Sequence, residues 1–260
     1  MSQDDRDRAL FDGIAASYAR KDILPSTAII REHRLFTALE GVLTGNGDLG
    51  DIVDIGCGIG APARILRGRY RSYLGIDHSK EMVKIAESAH GTNAAIKFIA
   101  NDFKEGSVRV NSADTILALG VLHHMTDLHR VMDRIVEIAK PGAIFVTIEP
   151  INVNPIAGVL RWLRGKFDSH FSEEQKFFSI SELTDLFDPQ KFYPPEIHYY
   201  SALAAPFSKV VLRPQFIFYP LSKLLLRLDR LLEKYAPGIV RKVSWDVIVR
   251  ARVRKQPADL

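Results

Sequence analysis

A carboxylate inside an apolar segment is the first feature of this sequence that suggests chemistry. Asp54 stands within IVDIGCGIG (52–60), where a buried strand of a parallel sheet usually carries only Val, Ile and Leu. Burying a carboxylate is costly unless a partner satisfies it. Gly56, Gly58 and Gly60 follow directly, and glycine permits a sharp backbone turn or the close approach of a ligand. The segment therefore predicts a ligand site at the end of a strand.

The glycine segment has three interpretations. It can be a strand-to-helix turn that needs small residues, or a nicotinamide-dinucleotide fingerprint, since residues 56–61 satisfy GxGxxA. It can also lie beneath the methionine part of S-adenosylmethionine. Asp54 favours the last interpretation, because a carboxylate attracts the ammonium and sulfonium charges of that cofactor and repels a pyrophosphate.

Polar residues also follow the next two predicted strands. Asp77 ends the second strand, where a carboxylate can hold both ribose hydroxyls of a nucleoside, as it also does in dinucleotide enzymes. Asn101, Asp102 and Phe103 follow the third strand, where an acid can accept from an adenine amine and an apolar side chain can cover the ring. Met82, one helical turn after Asp77, is a candidate for the other adenine face and equally for ordinary helix core.

Short strand-like segments alternate with helical patterns, which is typical of βαβ units in a doubly wound α/β sheet. The carboxyl ends of such strands share one edge, where ligands bind. The sequence predicts seven strands, at 52–55, 72–76, 96–99, 115–119, 144–148, 197–201 and 243–253. It predicts helices at 8–20, 27–43, 61–69, 80–89, 127–139 and 181–187.

A single domain over residues 1–260 is the expected organisation, because a chain of this length that is 47% hydrophobic can bury one large core. Its centre is expected to be a seven-stranded Rossmann-like sheet. Residues 1–45 are expected to form a helical lid and 50–150 the cofactor-binding core. Residues 151–260 are expected to lie on the acceptor side, with a helical insertion at 206–240, before the last strand, acting as a cap.

Cysteine content and hydropathy indicate the compartment. Cys57 is the single cysteine, so no internal disulfide can form, which fits a reducing cytoplasm. The N-terminal residues contain no apolar secretory segment, and no stretch approaches the roughly 18 apolar residues of a membrane span. We expect a cytoplasmic protein.

Positive charge is concentrated in residues 209–260, where twelve Lys and Arg stand against four Asp and Glu, although the whole chain carries only +4. Within the predicted cap, leucines recur at helical spacing opposite a basic row of Lys223, Arg227, Arg230 and Lys234. The segment can cover a hydrophobic acceptor, rest peripherally on an anionic membrane, or present an ordinary solvated face.

The sequence resembles the class I S-adenosylmethionine-dependent methyltransferases. The residues that carry the resemblance are IVDIGCGIG (52–60), YLGIDHSKEMVKIAE (73–87), ANDF (100–103), DTILALGVLHHM (114–125) and KPGAIFVTIEP (140–150). In addition, FDGIAASYAR (11–20) is similar to the N-terminal segment of the small-molecule branch, as in quinone-biosynthesis methyltransferases.

The resemblance implies S-adenosylmethionine as the cofactor and a role for each matching residue. Gly56 and Gly58 would approach its methionine part and Asp54 its amino group, while Asp77 would hold the ribose. Asn101, Asp102 and Phe103 would surround the adenine. Backbone groups of Leu119 and Gly120 would contact the ammonium, and Tyr18 would close over the site as part of a mobile lid.

Methyl transfer from a sulfonium is an in-line displacement from an activated donor, so alignment and desolvation supply much of the acceleration. A base is needed only for an acceptor that is protonated at neutral pH. His124 and Glu149, at the ends of the fourth and fifth strands, are the candidates. The histidine pair at 123–124 can instead be a structural feature of the loop.

The sequence after the fourth strand narrows the acceptor. Leu-Gly-Val-Leu (119–122) replaces the Asp/Asn-Pro-Pro-aromatic loop of amino-methylating DNA enzymes, and no metal-ligand spacing stands out, so we expect neither a nucleic-acid partner nor a metal. The favoured function is methylation of an oxygen or carbon of a small, hydrophobic metabolite such as a lipid, quinone or natural product. The alternatives are an NAD(P)-dependent oxidoreductase and a non-catalytic subunit that binds S-adenosylmethionine and regulates a partner.

Overall fold

A seven-stranded sheet forms the centre of the protein in a computed structural model that describes residues 3–43, 47–106, 108–154 and 177–255. In chain order the strands are β1 (Asp51–Ile55), β2 (Ser72–Asp77), β3 (Ile96–Ala100), β4 (Ala113–Leu119), β5 (Ala139–Pro150), β6 (Glu196–Tyr200) and β7 (Asp246–Arg252). Their order across the sheet is β3-β2-β1-β4-β5-β7-β6. The predicted seven-stranded Rossmann-like fold is confirmed; within the predicted acceptor-side region, 155–176 and 256–260 lie outside the described residues.

The helices of the described residues flank this sheet. They are α1 (Gln3–Asp22), α2 (Pro25–Ala38), α3 (Ala61–Ile65), α4 (Lys80–His90), α5 (Leu128–Ile138), α6 (Ile180–Thr184), α7 (Ala205–Lys209), α8 (Gln215–Tyr235) and α9 (Pro237–Val243). Successive residues of the central strands point to opposite faces, as Ile116 and Leu117 do, and both are fully buried in separate apolar clusters. Both faces of the sheet are therefore covered, as a doubly wound fold requires.

The last strand departs from the parallel pattern. Strands β1 to β5 pair in parallel, but β7 is antiparallel to both of its neighbours, β5 and β6. Tyr200 at the end of β6 pairs with Asp246 at the start of β7. The connection 201–245 therefore leaves and re-enters the sheet at one end, which makes the pair antiparallel however many helices the connection contains.

Two predicted boundaries also move. The strand predicted at 243–253 begins at Asp246, because α9 occupies the preceding residues. β5 begins at Ala139, where the sequence predicts the end of a helix, because its first residues already pair with β4 at Ala113. Neither difference affects the edge where the strands β1, β2 and β4 end.

The segment predicted to act as a cap, residues 206–240, packs beside the N-terminal helical segment. Its helices α7 and α8 pack against α2, where Leu226 of α8 is buried against Ile30. The connection 201–245 that contains them leaves the sheet at the end where Pro150 closes β5. The segment is largely helical, and its role as a cap over the acceptor stays a prediction. Helices α1 and α2 do form the predicted N-terminal helical segment, and α1 runs along α4.

Candidate functional site

The glycine loop after β1 has the conformation that its sequence predicts. Gly56, Gly58 and Gly60 all have positive φ angles, of 67°, 53° and 73°, which side chains with a Cβ rarely adopt. A Cβ at Gly56 would collide with the side chain of Val121, whereas a Cβ at Gly58 would meet nothing within 4 Å. The loop is thus tightly packed on one side and open to a cavity on the other.

Most of the predicted cofactor-binding residues line one cavity of about 110 Å³ at this edge of the sheet. The predicted residues that line it are Tyr18, Gly56, Gly58, Asp77, Met82, Asn101, Asp102, Phe103, Leu119 and Gly120, together with His124. They come from five separate segments of the chain, so the fold brings together residues that are far apart in sequence.

Asp77 braces the glycine loop and faces the cavity at the same time. Its Oδ2 accepts a hydrogen bond from the backbone N–H of Gly58 at 2.8 Å, and its Oδ1 accepts from the N–H of Ser79 at 2.9 Å. Burial raises the pKa of the Asp77 carboxyl, while these two N–H groups oppose the rise. Each carboxylate oxygen keeps a second lone pair for a donor in the cavity.

The residues after β3 form a half-apolar pocket. Asp102 caps a short 3₁₀ helix (Phe103–Glu105) by accepting from the N–H of Lys104 at 2.9 Å. Phe103 and Met82 are both buried and both line the cavity, Met82 from the first turn of α4. A flat aromatic ligand with a polar edge fits between such walls.

Asp54 lies in a second, adjoining cavity of about 80 Å³ that shares Tyr18, Gly56, Gly58 and Leu119 with the first. The Asp54 carboxylate is 0% exposed. The Tyr73 hydroxyl donates to its Oδ2, but its Oδ1 has no hydrogen-bond partner among the described residues. Burial raises the pKa of Asp54 to about 7. An unpaired buried carboxylate oxygen is the environment that a cationic ligand group would satisfy.

Two arginines of α2 line the same second cavity, and sequence reasoning missed both. Arg31 donates to Asp22 at 2.6 Å and to the Tyr18 hydroxyl at 3.0 Å, and Arg34 contacts Asp246 at 3.3 Å. Their spacing of three residues places them on one helix face, but no local signal shows that this face meets the glycine loop. The cavity thus offers both charge signs, as the zwitterionic end of an amino acid requires.

Glu149 does not line either cavity, which corrects its assignment as a catalytic candidate. Its fully buried carboxylate accepts from the backbone N–H groups of Val121, Leu122 and His123 at 3.2, 2.9 and 3.3 Å. The side chain of His123 donates to it at 2.7 Å and the hydroxyl of Thr147 at 3.1 Å. Glu149 therefore holds the turn that follows β4, and that turn positions His124.

Three acids of α1 tie this helix to the cavity rim, and the sequence did not single them out. Asp4 accepts from Lys104 Nζ at 2.6 Å, and Asp12 accepts from the Ser79 hydroxyl at 2.6 Å. Asp7 lies 3.6 Å from Nδ1 of His124. Phe11 and Tyr18 of the same helix line the first cavity. The N-terminal segment therefore forms one wall of the site.

The predicted cap segment contributes no residue to the two cavities. Residues 206–240, all of which the structure describes, line neither cavity. Within the described ranges, no three His, Cys, Asp or Glu side chains lie close enough together to hold a metal ion.

The residues of the two cavities fit S-adenosylmethionine on two structural grounds. The buried Oδ1 of Asp54 has no hydrogen-bond partner among the described residues, and an amino group can supply one. The open space at Gly58 is a cradle that any Cβ would fill, so the loop leaves room for a ligand at its backbone. The cavity lined by Asp77 adjoins this space directly.

Comparison with known proteins agrees with this fit. Residues 53–147 match the family model described as a methyltransferase domain. The chain is 26% identical over 169 residues to a sterol 24-C-methyltransferase of Pneumocystis carinii, covering 64% of this chain and 41% of that protein. It is also 26% identical over 166 residues to a cycloartenol-C-24-methyltransferase of Arabidopsis thaliana, covering 60% and 44%. The chain spans about two fifths of the length of these curated relatives.

Solved structures show the same fold at low identity. A protein of Thermotoga maritima, titled an S-adenosylmethionine-dependent methyltransferase and possible histamine N-methyltransferase, has a TM-score of 0.64 at 18% identity, covering 94% of this chain and 98% of that one. A putative methyltransferase of Haloferax volcanii, solved with the Trm112 methyltransferase activator, has a TM-score of 0.61 at 19% identity and the same coverage.

Proposed function

We propose that this chain, whose residues 53–147 match a methyltransferase domain, transfers a methyl group from S-adenosylmethionine to an oxygen or carbon of a small, hydrophobic metabolite. The observation that carries the proposal is the buried, half-satisfied carboxylate of Asp54 beside the glycine loop. A dinucleotide pyrophosphate would place negative charge near this group, so Asp54 favours a sulfonium cofactor over NAD(P).

Each part of the cofactor has residues of suitable chemistry. Asp54 would take the amino group, with Arg31 and Arg34 beside the carboxylate. Asp77 would accept from the ribose hydroxyls. The residues that would frame the adenine are Asn101, Asp102, Phe103 and Met82, and backbone groups of Leu119 and Gly120 would face the methionine part.

The bound cofactor supplies an already activated methyl group, so the protein mainly has to align the acceptor and exclude water. Helix α1 contributes to both, since Phe11 and Tyr18 cover the cavity from one side. His124 lines the same cavity and is the candidate base for an acceptor that must lose a proton.

A hydrophobic acceptor is supported by two observations. Apolar side chains of Phe11, Val121 and Met125 line the cavity around His124. The curated relatives that the chain matches are named for sterol substrates, although the identity is 26% and the match covers less than half of those proteins. We place the acceptor among lipids, quinones and natural products of similar polarity.

Isothermal titration of the purified chain is expected to show binding of S-adenosylhomocysteine and none of NADH. The affinity should rise with pH between about 5.5 and 7.5, since the bound ammonium favours the ionised form of Asp54 and the free carboxyl has a pKa of about 7. A gain of roughly tenfold per pH unit is the limit well below that pKa. Binding of NADH alone would contradict the proposed function.

The Asp54→Asn variant separates this carboxyl from other titrating groups. It should bind S-adenosylhomocysteine more weakly, with a flatter dependence on pH. Because the folded-state pKa of Asp54 is raised above 3.8, ionisation destabilises the native protein as pH rises from about 4 to 7. The variant should therefore lose less stability than the wild type over this range. If its affinity for S-adenosylhomocysteine depended on pH as the wild-type affinity does, Asp54 would not be the partner of the amino group.

We further propose that α8 rests on an anionic lipid surface, from which a hydrophobic acceptor can reach the protein. Ile217, Leu224, Leu231 and Tyr235 are each at least half exposed and recur at spacings of seven and four, which places them on one helix face. Lys223, Arg227, Arg230 and Lys234 form a row along this stripe, and the helix packs on α2 through Leu226. No helix of the described residues is long and apolar enough to cross a bilayer.

Vesicle pelleting tests this contact. The protein should sediment with phosphatidylcholine vesicles that contain phosphatidylserine, and binding should weaken at high salt because part of it is electrostatic. The double substitution Leu224→Glu and Leu231→Glu should abolish sedimentation, whereas Lys97→Glu on exposed β3 should not change it. Equal, weak sedimentation of all variants, or a stable dimer in light scattering that the double substitution disrupts, would overturn the lipid assignment.

A further inference from the structure

Asp7 of α1 is a buried carboxylate whose position the proposed function does not explain. It is 3% exposed, and its Oδ2 lies 3.6 Å from Nδ1 of His124. We propose that Asp7 is a positioning residue: when α1 covers the cavity, Asp7 orients His124 with a protonated Nδ1 towards α1 and an unprotonated Nε2 towards the acceptor. This inference rests on the proposed function and adds to it a link between lid closure and proton abstraction.

The attachment of α1 to the rim is already provided by other acids of the helix. Asp4 accepts from Lys104 at 2.6 Å and from the Thr126 hydroxyl at 2.9 Å, and Asp12 accepts from Ser79 at 2.6 Å. Asp7 meets the ring of a histidine that lines the cavity, and it is more deeply buried than either of these acids. A contact that only attached α1 to the cavity rim would not require a carboxylate at position 7.

The surroundings of His124 suit a neutral base. Its ring contacts Phe11 edge-on, with ring centroids 5.1 Å apart, and lies 4.1 Å from the ring of His123. The titratable groups that face it are Asp7 from α1, His123 from its own turn and Glu149 from β5. Burial lowers the pKa of His124 and His123 lowers it further, whereas Asp7 and Glu149 raise it.

Glu149 cannot take the role of Asp7, because it already binds the other histidine. Its Oε2 accepts from Nδ1 of His123 at 2.7 Å, and both of its oxygens accept backbone N–H groups of the turn. The two acids therefore have different roles. Glu149 holds the turn in place, and Asp7 orients the ring of His124. Since Asp7 is on the lid, the orientation of His124 is complete only when α1 is docked.

The proton step applies to an acceptor with a hydroxyl, phenol or enol group. The O–H bond of the acceptor breaks, its electron pair stays on oxygen, and the proton binds Nε2 of His124. The charge of the resulting imidazolium is stabilised by Asp7 across Nδ1–H. The proton then passes to solvent when α1 opens.

The test uses the S-adenosylhomocysteine complex and side-chain ¹⁵N NMR of the histidines, with His124 assigned by the His124→Gln variant. In the wild type, neutral His124 should carry its proton on Nδ1. In Asp7→Asn the pKa of His124 should fall by about 1, because the imidazolium loses its carboxylate partner. The fraction of neutral His124 with its proton on Nε2 should rise, because an amide oxygen is a weaker acceptor for Nδ1–H than a carboxylate. Asp7→Glu should restore in part both the pKa and the tautomer of His124. Asp5→Asn, at an exposed acid of the same helix, should change neither.

Two outcomes would overturn the inference. One is a wild-type His124 that carries its neutral proton on Nε2, which needs no variant to observe. The other is an Asp7→Asn protein that is folded, binds S-adenosylhomocysteine and leaves the tautomer and the pKa of His124 unchanged. If the wild type fails to bind S-adenosylhomocysteine at all, the proposed function fails instead, so the two results are distinguishable.

Turnover gives an independent reading once an acceptor is in hand. Asp7→Asn should lower kcat by about tenfold or more, within the range of general-base contributions, and should leave KM nearly unchanged. The acidic limb of its pH–rate profile should move to lower pH. A matching loss from Asp4→Asn, with no shift of the limb in either variant, would show that the acids only fix the lid and would refute the positioning role.

Discussion

Replacing Asp77 with alanine is expected to weaken S-adenosylhomocysteine binding by about 100-fold or more. Two hydrogen bonds from ribose hydroxyls to a charged acceptor contribute roughly 1.5–3 kcal/mol each, which corresponds to about 10²–10⁴-fold in affinity when both are lost. The variant also loses the hydrogen bond from the N–H of Gly58 at 2.8 Å, so the glycine loop loses its brace. Isothermal titration at fixed pH measures the change directly.

A matched control for this variant is Glu87→Gln, which removes an exposed acid from the adjacent helix α4. It should bind S-adenosylhomocysteine as the wild type does. Asp77→Asn should lie between the two, because an amide keeps one acceptor oxygen for the loop or the ribose but not both. An Asp77→Ala protein with wild-type affinity would show that the ribose site lies elsewhere.

Replacing Glu149 with alanine is expected to lower the free energy of unfolding by about 3–5 kcal/mol or to prevent folding. The substitution leaves two buried N–H groups, of Leu122 and His123, and the part-buried N–H of Val121 without their acceptor, and each unsatisfied buried group costs about 1–3 kcal/mol. It also removes the partner of His123 and opens a cavity beneath the turn. Urea denaturation followed by circular dichroism measures the loss.

The control for Glu149 is Glu196→Ala, an exposed acid at the start of β6 whose contact with Arg250 is 3.5 Å. Its effect should stay within about 0.5 kcal/mol, as for surface substitutions in general. Glu149→Gln keeps one acceptor oxygen and should lose less stability than Glu149→Ala. If Glu149→Ala were as stable as the wild type but inactive with bound cofactor, a direct catalytic role would be restored to this residue.

Glu149 and Asp7 show which features of the site could be predicted from the sequence and which could not. Glu149 stands at the end of a strand, in the position where catalytic acids of parallel sheets are found, so the sequence made it a candidate. Its burial and its three backbone donors become visible only when β4 and β5 are paired. Asp7 lies in a polar helix that carries several acids, so no local pattern separates it from Asp4, Asp5 or Asp12.

The seven-stranded fold, the glycine loop and most of the residues that line the first cavity could be predicted from the sequence. These features depend on local chemistry: apolar strands end at polar residues, parallel strands end at one edge, and positive φ angles require glycine. The polar and glycine positions that line the first cavity follow from these local rules, whereas Tyr18, Leu119 and Gly120 were implied only by the family resemblance.

The tertiary structure alone decided three further points: the antiparallel entry of β7, the position of the predicted cap beside α2, and the meeting of Arg31, Arg34 and Asp7 with the site. Each depends on which face of a whole helix or connection packs against the sheet. That choice is made by the summed burial of many apolar side chains over long sequence separations, and no short pattern encodes it.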